Sequence, residues 1–312
     1  MRVGIVTDAS CDLPGEFLRE HNIGVMPVLI THGAGMFEDD RDATLSARYH
    51  AGDWLTGVGR ARTQALPLAA TRAYLVERVL PFADYAFCIT VGSIFGDVHD
   101  NTAKAATALL ADQQSGPDSG MPPFVLRVVD SRSMLSGPGL LVAEAARCIA
   151  DGWSAIELRQ HLETLRDRIC VYWVPDDLYE LRRRARARGP RRVDWLQAVV
   201  GSAFDLRSLV LAHRDRVEPV GPIGTRARVS QRLFERVARR IENGIDVPDI
   251  CISYGGTLDA LHALPGYSRL ASAAQGCGVR LLESVMSISG AVNVGRGCLS
   301  VAYLGETLSL DA

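Results

Sequence analysis

The sequence predicts an α/β protein of two domains: a mostly parallel N-terminal sheet flanked by helices, then an α+β C-terminal domain with a mixed sheet. At 312 residues the chain is long for one hydrophobic core. Strand-like and helical segments alternate through the first half, which is typical of βαβ units. The second half instead contains a hairpin signal. We place the boundary after the helix that the capping box Ser154–Glu157 opens, giving domains 1–167 and 168–312.

The first half opens with a short apolar run at 3–6, a pattern typical of a parallel strand buried on both faces. The acidic stretch 33–42 is predicted to be a solvated loop, because its carboxylates lack an ordered metal-ligand spacing. The other predicted elements are strands at 24–30, 85–91 and 124–129, helices at 14–20, 101–112 and 139–150, two helical pieces between 44 and 80, and an exposed loop at 113–123.

The second half mixes hairpins and helices. Residues 201–219 read as a strand, a turn and a strand, and 226–243 as a long amphipathic helix. The remaining predicted elements are strands at 169–174, 249–254, 280–286 and 298–304, a helix from residue 175 and a helix that Thr257 caps and that runs to about Gly276.

Composition restricts the class of protein. An apolar fraction of 47% and a charged fraction of 22% describe a soluble globular protein, and a net charge of −2 gives no electrostatic reason to expect nucleic acid or an anionic membrane. There is no signal-peptide pattern and no apolar run near the roughly 20 residues that span a bilayer. We expect a cytoplasmic protein without stable membrane insertion.

The seven cysteines are odd in number, widely spaced and without a C-x-x-C pair. This pattern indicates reduced, mostly buried thiols, with neither a disulfide framework nor a zinc site. The histidines lack any metal-binding spacing, so the sequence predicts no metal and no cofactor.

Four strand ends in the first half finish in small hydroxylated or acidic residues: Thr7-Asp8, Thr31, Thr90 to Ser93, and Asp130-Ser131. Ligands bind outside the carboxyl ends of the strands in open α/β sheets. Together these ends would form a polar rim that grips an anionic head group. The alternative for Asp8 is that it only caps the next helix.

Two glycine-rich stretches and one arginine run have ordinary structural explanations as well as functional ones. Gly137 and Gly139 open a helix whose amides could face an anion, although tight packing is their commoner role. The stretch 290–297 is glycine-spaced around Asn293 and permits close approach to a ligand or to the other domain. The arginines of the run 182–192 are typical of a solvated helix face. Arg192 is the exception, because it follows a Gly-Pro loop and stands at the entry to the next helix.

No G-x-S-x-G elbow, phosphate-binding lysine loop or nucleophile–base pair at motif spacing is present. The sequence therefore favours a binding protein over an enzyme.

Several stretches resemble, in order, the motifs of the DegV family of bacterial fatty-acid-binding proteins. Val6-Thr-Asp-Ala9 with Asp12-Leu-Pro14 resembles the opening T-D-S and D-L-P, and Val25-Met-Pro-Val-Leu29 the next strand. The later matches are Val128-Val-Asp-Ser131 with Gly137 and Gly139, Arg192-Val193 for the Arg-Ile of a G-G-R-I turn, Glu218-Pro219 through Arg226 for a hairpin and basic turn, and 290–297 for G-x-H-x-G-P-G.

The resemblance implies two α/β domains and a long-chain fatty acid whose acyl chain is buried and whose carboxylate lies at the domain interface. It also implies a carrier that presents the fatty acid to a partner kinase subunit for phosphorylation, feeding phospholipid synthesis. The residues that we expect at the ligand are Thr63, Ser93, Arg192, Asn293, Asp8 and Gly92. Asn293 replaces the family's His, so it can donate a hydrogen bond but cannot carry charge.

Two other functions stay open at this point. An enzyme or binder of a small anionic or hydroxylated metabolite would use the rim around Asp8, Ser93 and Asp130. Nucleic-acid binding through the arginine run is the second, although aromatic residues are not interleaved there for base stacking.

Overall fold

The computed structural model describes residues 1–33, 35–52, 61–114, 123–177, 181, 209–221 and 224–308. The described helices are α1 (Gly15–Glu20), α2 (Ala43–Ala51), α3 (Leu68–Arg78), α4 (Val98–Gln114), α5 (Gly137–Ala150), α6 (Ala155–Leu165), α7 (Arg226–Glu242), α8 (Leu258–His262), α9 (Tyr267–Gly276) and α10 (Ile288–Val294). The described strands are β1 (Val3–Asp8), β2 (Gly24–Met26), β3 (Val28–His32), β4 (Gly35–Asp39), β5 (Arg62–Ala65), β6 (Tyr85–Thr90), β7 (Val125–Asp130), β8 (Ile169–Val174), β9 (Leu209–His213), β10 (Arg216–Val220), β11 (Asp249–Tyr254), β12 (Arg280–Val285) and β13 (Leu299–Leu304).

The first half is built on a four-stranded parallel sheet in the order β2-β1-β6-β7. Every residue of β6 is buried, and so are the last four of β1, as expected for parallel strands covered on both faces. Because all four strands run the same way, their carboxyl ends share one edge. The prediction of a parallel N-terminal sheet is confirmed.

The second half is built on a six-stranded mixed sheet in the order β10-β9-β8-β13-β11-β12, in which only the β11–β12 pair is parallel. The predicted strands at 169–174 and 249–254 coincide with β8 and β11. The predicted hairpin is β9–β10, although 201–208 lie outside the described residues. The predicted mixed C-terminal sheet is confirmed.

A third sheet, which we call the small sheet, was not predicted. It is antiparallel in the order β4-β3-β5. The predicted single strand at 24–30 is wrong, because the chain turns at Pro27 and contributes β2 to the parallel sheet and β3 to the small one. Thr31 therefore lies in the small sheet, away from the predicted rim. The prediction of two helical pieces between 44 and 80 is wrong in part, because strand β5 lies between α2 and α3.

We expected the acidic stretch 33–42 to be a solvated loop, and this prediction is wrong. The stretch contains β4, in which Asp39 is buried, and Asp42 accepts a hydrogen bond from the Leu45 amide at 2.7 Å to cap α2. Both carboxylates are therefore structural, one at a sheet face and one at a helix end.

Helix α5 lies between the parallel sheet and the mixed sheet. It contacts β1 and β6 on one side and β8, β11 and β13 on the other. Eleven of its fourteen residues are buried. One continuous apolar cluster runs through it, from Ile5 and Phe87 of the parallel sheet to Val171 and Trp173 of the mixed sheet. The two sheets are thus layered onto a shared helix.

The opposite face of the mixed sheet has a core of its own. Tyr172 and Tyr303 stack there with ring centroids 6.3 Å apart, under the apolar face of α7. The predicted amphipathic helix at 226–243 is confirmed as α7. The single helix expected to follow Thr257 is divided into α8 and α9, because Pro265 lacks an amide donor and Gly266 has a φ of 87°. Among the described helices, none is both long and apolar enough to cross a membrane.

Candidate functional site

Helix α10 of the second half makes several polar contacts with the first half. Its capping residue Ser287 donates its amide hydrogen to Asp12 Oδ1 at 2.8 Å, and Ser289 donates its amide hydrogen to Asp39 Oδ2 at 2.7 Å. Both carboxylates come from the first half and are buried. Carboxylates at a helix N-terminus satisfy unpaired amides and complement the helix dipole. The start of α10 is thereby fixed to the first half.

Arg41 completes this contact. Its guanidinium donates to Asp12 Oδ1 at 3.2 Å, to the Leu13 carbonyl at 3.0 Å and to the Val285 carbonyl at 3.1 Å. Burial raises the pKa of Asp39, and the charge of Arg41 and the bond from Ser289 oppose that rise. A buried carboxylate needs such partners, because removing it from water is costly. We call Asp12, Asp39 and Arg41 the α10 clamp.

One turn further along α10, Asn293 faces the small sheet. Its amide Nδ2 donates to the Ser289 carbonyl at 2.8 Å and to Thr63 Oγ1 at 3.4 Å. Thr63 pairs with Ile30 across the small sheet, and both residues point to the face that α10 covers. Because Thr63 accepts this bond through its oxygen, its own hydroxyl hydrogen remains a donor. Two predicted ligand residues from different halves are therefore in contact.

The remaining predicted ligand residues of the first half lie at the carboxyl edge of the parallel sheet. Asp8 is fully buried, and its Oδ2 accepts the Val91 amide hydrogen at 2.7 Å while Oδ1 accepts from the amide and hydroxyl of Ser10. Burial raises the pKa of Asp8, and the bonds from Ser10 and Val91 oppose that rise. Asp8 therefore fixes the start of the loop that carries Gly92 and Ser93.

That loop is held at its other side by the end of β7. Gly92 donates its amide hydrogen to the Ser133 carbonyl at 2.8 Å, and Ser93 donates its amide hydrogen to Asp130 Oδ1 at 3.2 Å. A Cβ on Gly92 would lie 2.8 Å from the Ser133 nitrogen, so glycine is required for this approach. Among the described residues, the half-buried hydroxyl of Ser93 has no hydrogen-bond partner. This hydroxyl is therefore available as a hydrogen-bond donor.

The two groups of predicted ligand residues are linked through α4, which begins just after the Ser93 loop. Asn101 Nδ2 of α4 donates to the carbonyl of Leu66 at 2.8 Å, directly after the strand that carries Thr63. Arg192 lies outside the described residues, as does the rest of the run 182–192. The ligand role of all six residues stays a prediction.

The glycines singled out in the sequence serve close packing. A Cβ on Gly137 would lie 1.9 Å from Ser133 Oγ, and one on Gly139 would lie 3.1 Å from Leu13 Cγ. A Cβ on Gly290 would lie 3.1 Å from Leu135 Cδ2, which belongs to the other half. The start of α5 is thus filled by protein, and the glycine of α10 lets the two halves approach.

Comparison with known proteins agrees with this architecture. The family model described as the DegV family matches residues 2–306. This chain belongs to the DegV family. A DegV domain-containing protein of Xanthomonas axonopodis pv. citri is 37% identical over 317 residues, covering 100% of both chains.

Solved DegV structures share the fold. The crystal structure of DegV, a fatty acid binding protein from Bacillus subtilis, aligns with a TM-score of 0.76 at 17% identity, covering 98% of this chain and 100% of that one. A stearic acid-binding protein from Eubacterium ventriosum aligns with a TM-score of 0.75 at 16% identity, covering 97% and 98%. The resemblance inferred from short motifs is confirmed at the level of family and fold.

Sequence reasoning missed the α10 clamp, although Asp12 stood inside a motif matched to the DegV family. Asp39 was assigned to a solvated loop, and Arg41 was not singled out. The signal in the sequence was Ser287, a residue type that often caps a helix, just before the glycine-spaced stretch 290–297. Assigning α10 as a helix would have revealed amides in need of partners.

Proposed function

We propose that this DegV protein binds one long-chain fatty acid, with the acyl chain buried and the carboxylate at the contact between its two halves. The observation that carries the proposal is the hydrogen bond between Asn293 and Thr63, which joins α10 to the small sheet. Asn293 stands where the family's G-x-H-x-G-P-G motif has its His, and Thr63 is one of the ligand residues that the resemblance implies. The Thr63 hydroxyl hydrogen and the free Ser93 hydroxyl supply neutral donors for a carboxylate.

The solved relatives support the ligand class, since the proteins of Bacillus subtilis and Eubacterium ventriosum are described as fatty acid-binding and stearic acid-binding. Burying an acyl chain contributes about 0.8 kcal/mol per methylene. An unpaired buried carboxylate opposes binding by several kcal/mol, so donors must meet it. We propose that Thr63, Ser93 and Arg192 supply them, and that Asn293 orients the hydroxyl of Thr63.

The rim alternative, a small anionic metabolite at the edge of the parallel sheet, would need open polar groups there. Asp8 is instead buried and occupied by Val91 and Ser10, and Asp130 holds the amides of Ser93 and Arg132. These contacts use the carboxylates to shape the loop. This use of the carboxylates favours a fatty-acid carrier, which at this sheet edge needs only the Ser93 hydroxyl as a ligand donor.

Extraction of the full chain, purified from a bacterial host, tests the ligand class directly. We expect organic solvent to release about one long-chain fatty acid per chain, identified by mass spectrometry. Delipidated protein should take up added oleate with the same stoichiometry. Recovery of a small polar metabolite, or no uptake of any fatty acid, would contradict the proposal.

We further propose that the protein is a cytoplasmic carrier without catalytic activity of its own, which presents its fatty acid to a partner kinase for the first step into phospholipid synthesis. The test is to incubate the loaded protein with ATP, with and without a bacterial fatty-acid kinase subunit. Acyl phosphate, trapped with hydroxylamine as a hydroxamate, should form only when the kinase is present. Formation without the kinase would make the chain an enzyme.

A further inference from the structure

Three potential metal ligands meet where α6 packs on α5, and none of them is among the predicted fatty-acid ligands. Glu144 and Cys148 are one turn apart on α5, and His161 projects from α6. The His161 Nε2 and Glu144 Oε1 atoms are 2.6 Å apart, and Cys148 Sγ lies 3.7 Å from the same oxygen. One ligand atom from each residue lies within 4.8 Å of the others.

The cluster is largely enclosed. Glu144 is 1% exposed and Cys148 is fully buried, whereas 28% of the His161 side chain is exposed. The Trp153 ring covers part of the imidazole, with centroids 5.1 Å apart. The imidazole side is therefore the route by which an ion would reach the buried oxygen and sulfur.

A positive charge already lies beside the carboxylate. Arg147 Nε donates to Glu144 Oε2 at 2.8 Å, and its Nη2 donates to Oε1 at 2.7 Å. Burial alone would raise the pKa of Glu144, but the bonds from Arg147 and His161 hold it below its usual value. Arg147 can keep its bond to Oε2 while Oε1 turns to an ion.

We propose that Glu144, Cys148 and His161 form a binding site for a divalent zinc ion. Mixed sulfur, nitrogen and oxygen donors suit zinc, which takes four ligands in tetrahedral geometry. Three would come from the protein and the fourth from water at the exposed imidazole side. Binding releases the thiol proton to solvent and forms a bond between zinc and the thiolate sulfur. It also replaces the hydrogen bond between His161 and Glu144. The Nε2 proton leaves as the imidazole changes to the tautomer protonated at Nδ1, so that Nε2 can bind zinc.

The sequence predicted no metal because none of the usual spacings was present. The three residues follow an E-x3-C-x12-H pattern, and they meet only because the chain reverses between α5 and α6. A bound ion would fasten α6 to the central helix α5. This proposal does not depend on fatty-acid binding.

Titration of the full chain with Co²⁺, after treatment with a chelator, tests the site. We expect one equivalent to bind with a thiolate-to-cobalt charge-transfer band in the near ultraviolet, and Zn²⁺ to displace it. Cys148→Ser should abolish the band. His161→Gln changes a half-buried residue, so this variant should fold normally. It tests the site even if Cys148→Ser does not fold. It should weaken Co²⁺ binding by at least about 10-fold, the loss that even an outer-shell partner causes.

Cys277→Ser is the matched control, because Cys277 is the exposed cysteine of the chain and could bind cobalt adventitiously. It should leave the band unchanged. The proposal is overturned if no charge-transfer band appears. It is also overturned if the band is lost in Cys277→Ser, or if His161→Gln binds Co²⁺ as tightly as the wild type.

Discussion

Replacing Thr63 with valine tests whether the contact between α10 and the small sheet holds the ligand head group. Valine keeps the shape of threonine but removes the hydroxyl, so Asn293 loses an acceptor and the carboxylate loses a donor. A hydrogen bond to a charged group contributes about 1.5–3 kcal/mol. Fatty-acid affinity should therefore fall about 10- to 100-fold, at 1.4 kcal/mol per tenfold.

Thr31→Val is a closely matched control for this measurement. Thr31 belongs to the neighbouring strand of the small sheet and points to the opposite face, and its hydroxyl donates to the Arg62 carbonyl at 3.4 Å. Isothermal titration of delipidated protein with oleate gives the dissociation constant of each variant. Asn293 retains its bond to Ser289 in Thr63→Val, so the loss of stability should be only about 1 kcal/mol. The reasoning is refuted if Thr63→Val binds oleate like the wild type, or if Thr31→Val weakens binding equally.

Three further predictions follow from the described contacts. In Asn293→His, oleate binding should strengthen as the pH falls through about 6.5, because a protonated imidazole places a cation beside the carboxylate. Oleate titrations at several pH values measure this effect, and an affinity that does not change with pH, as in the wild type, would contradict it. Asp12→Ala should lower the free energy of unfolding by about 3–5 kcal/mol, because it removes the buried carboxylate to which both Arg41 and the Ser287 amide donate. Urea unfolding of Asp84→Ala, which removes an exposed ion pair, should show little change in this free energy; similar losses in both variants would be inconsistent with the clamp. Maleimide should modify Cys277 first in the native chain, because the other six thiols are buried. Peptide mass spectrometry identifies the labelled cysteine, and early modification of a buried thiol would show that the core opens.

The elements that the sequence predicted best are those whose apolar pattern is uniform. Strand β8 is apolar throughout and buried on both faces, so its apolar run marks its ends without ambiguity. The capping box at Ser154 was equally clear, since its two reciprocal bonds depend only on residues three apart.

The elements that the sequence missed depend on contacts between distant segments. The run at 24–30 is one apolar stretch, and only the pairing of its two parts with different sheets divides it at Pro27. Asp39 looked like a loop residue because its partner, the Ser289 amide, is 250 positions away. Asn293 could be aligned with a family position, but its contact with Thr63 depends on α10. The sequence did not predict that helix, because Gly290 lies within it and lowers its helix propensity.

The position of α5 limits how the molecule can open to exchange a ligand. Swinging the parallel sheet away from the mixed sheet would expose to water one side of a helix that has eleven buried residues. Each large aliphatic side chain uncovered would cost about 1.5–3 kcal/mol, so parting this seam would undo much of the fold. We therefore expect the proposed fatty acid to exchange by local displacement elsewhere, while α5 keeps the two sheets together.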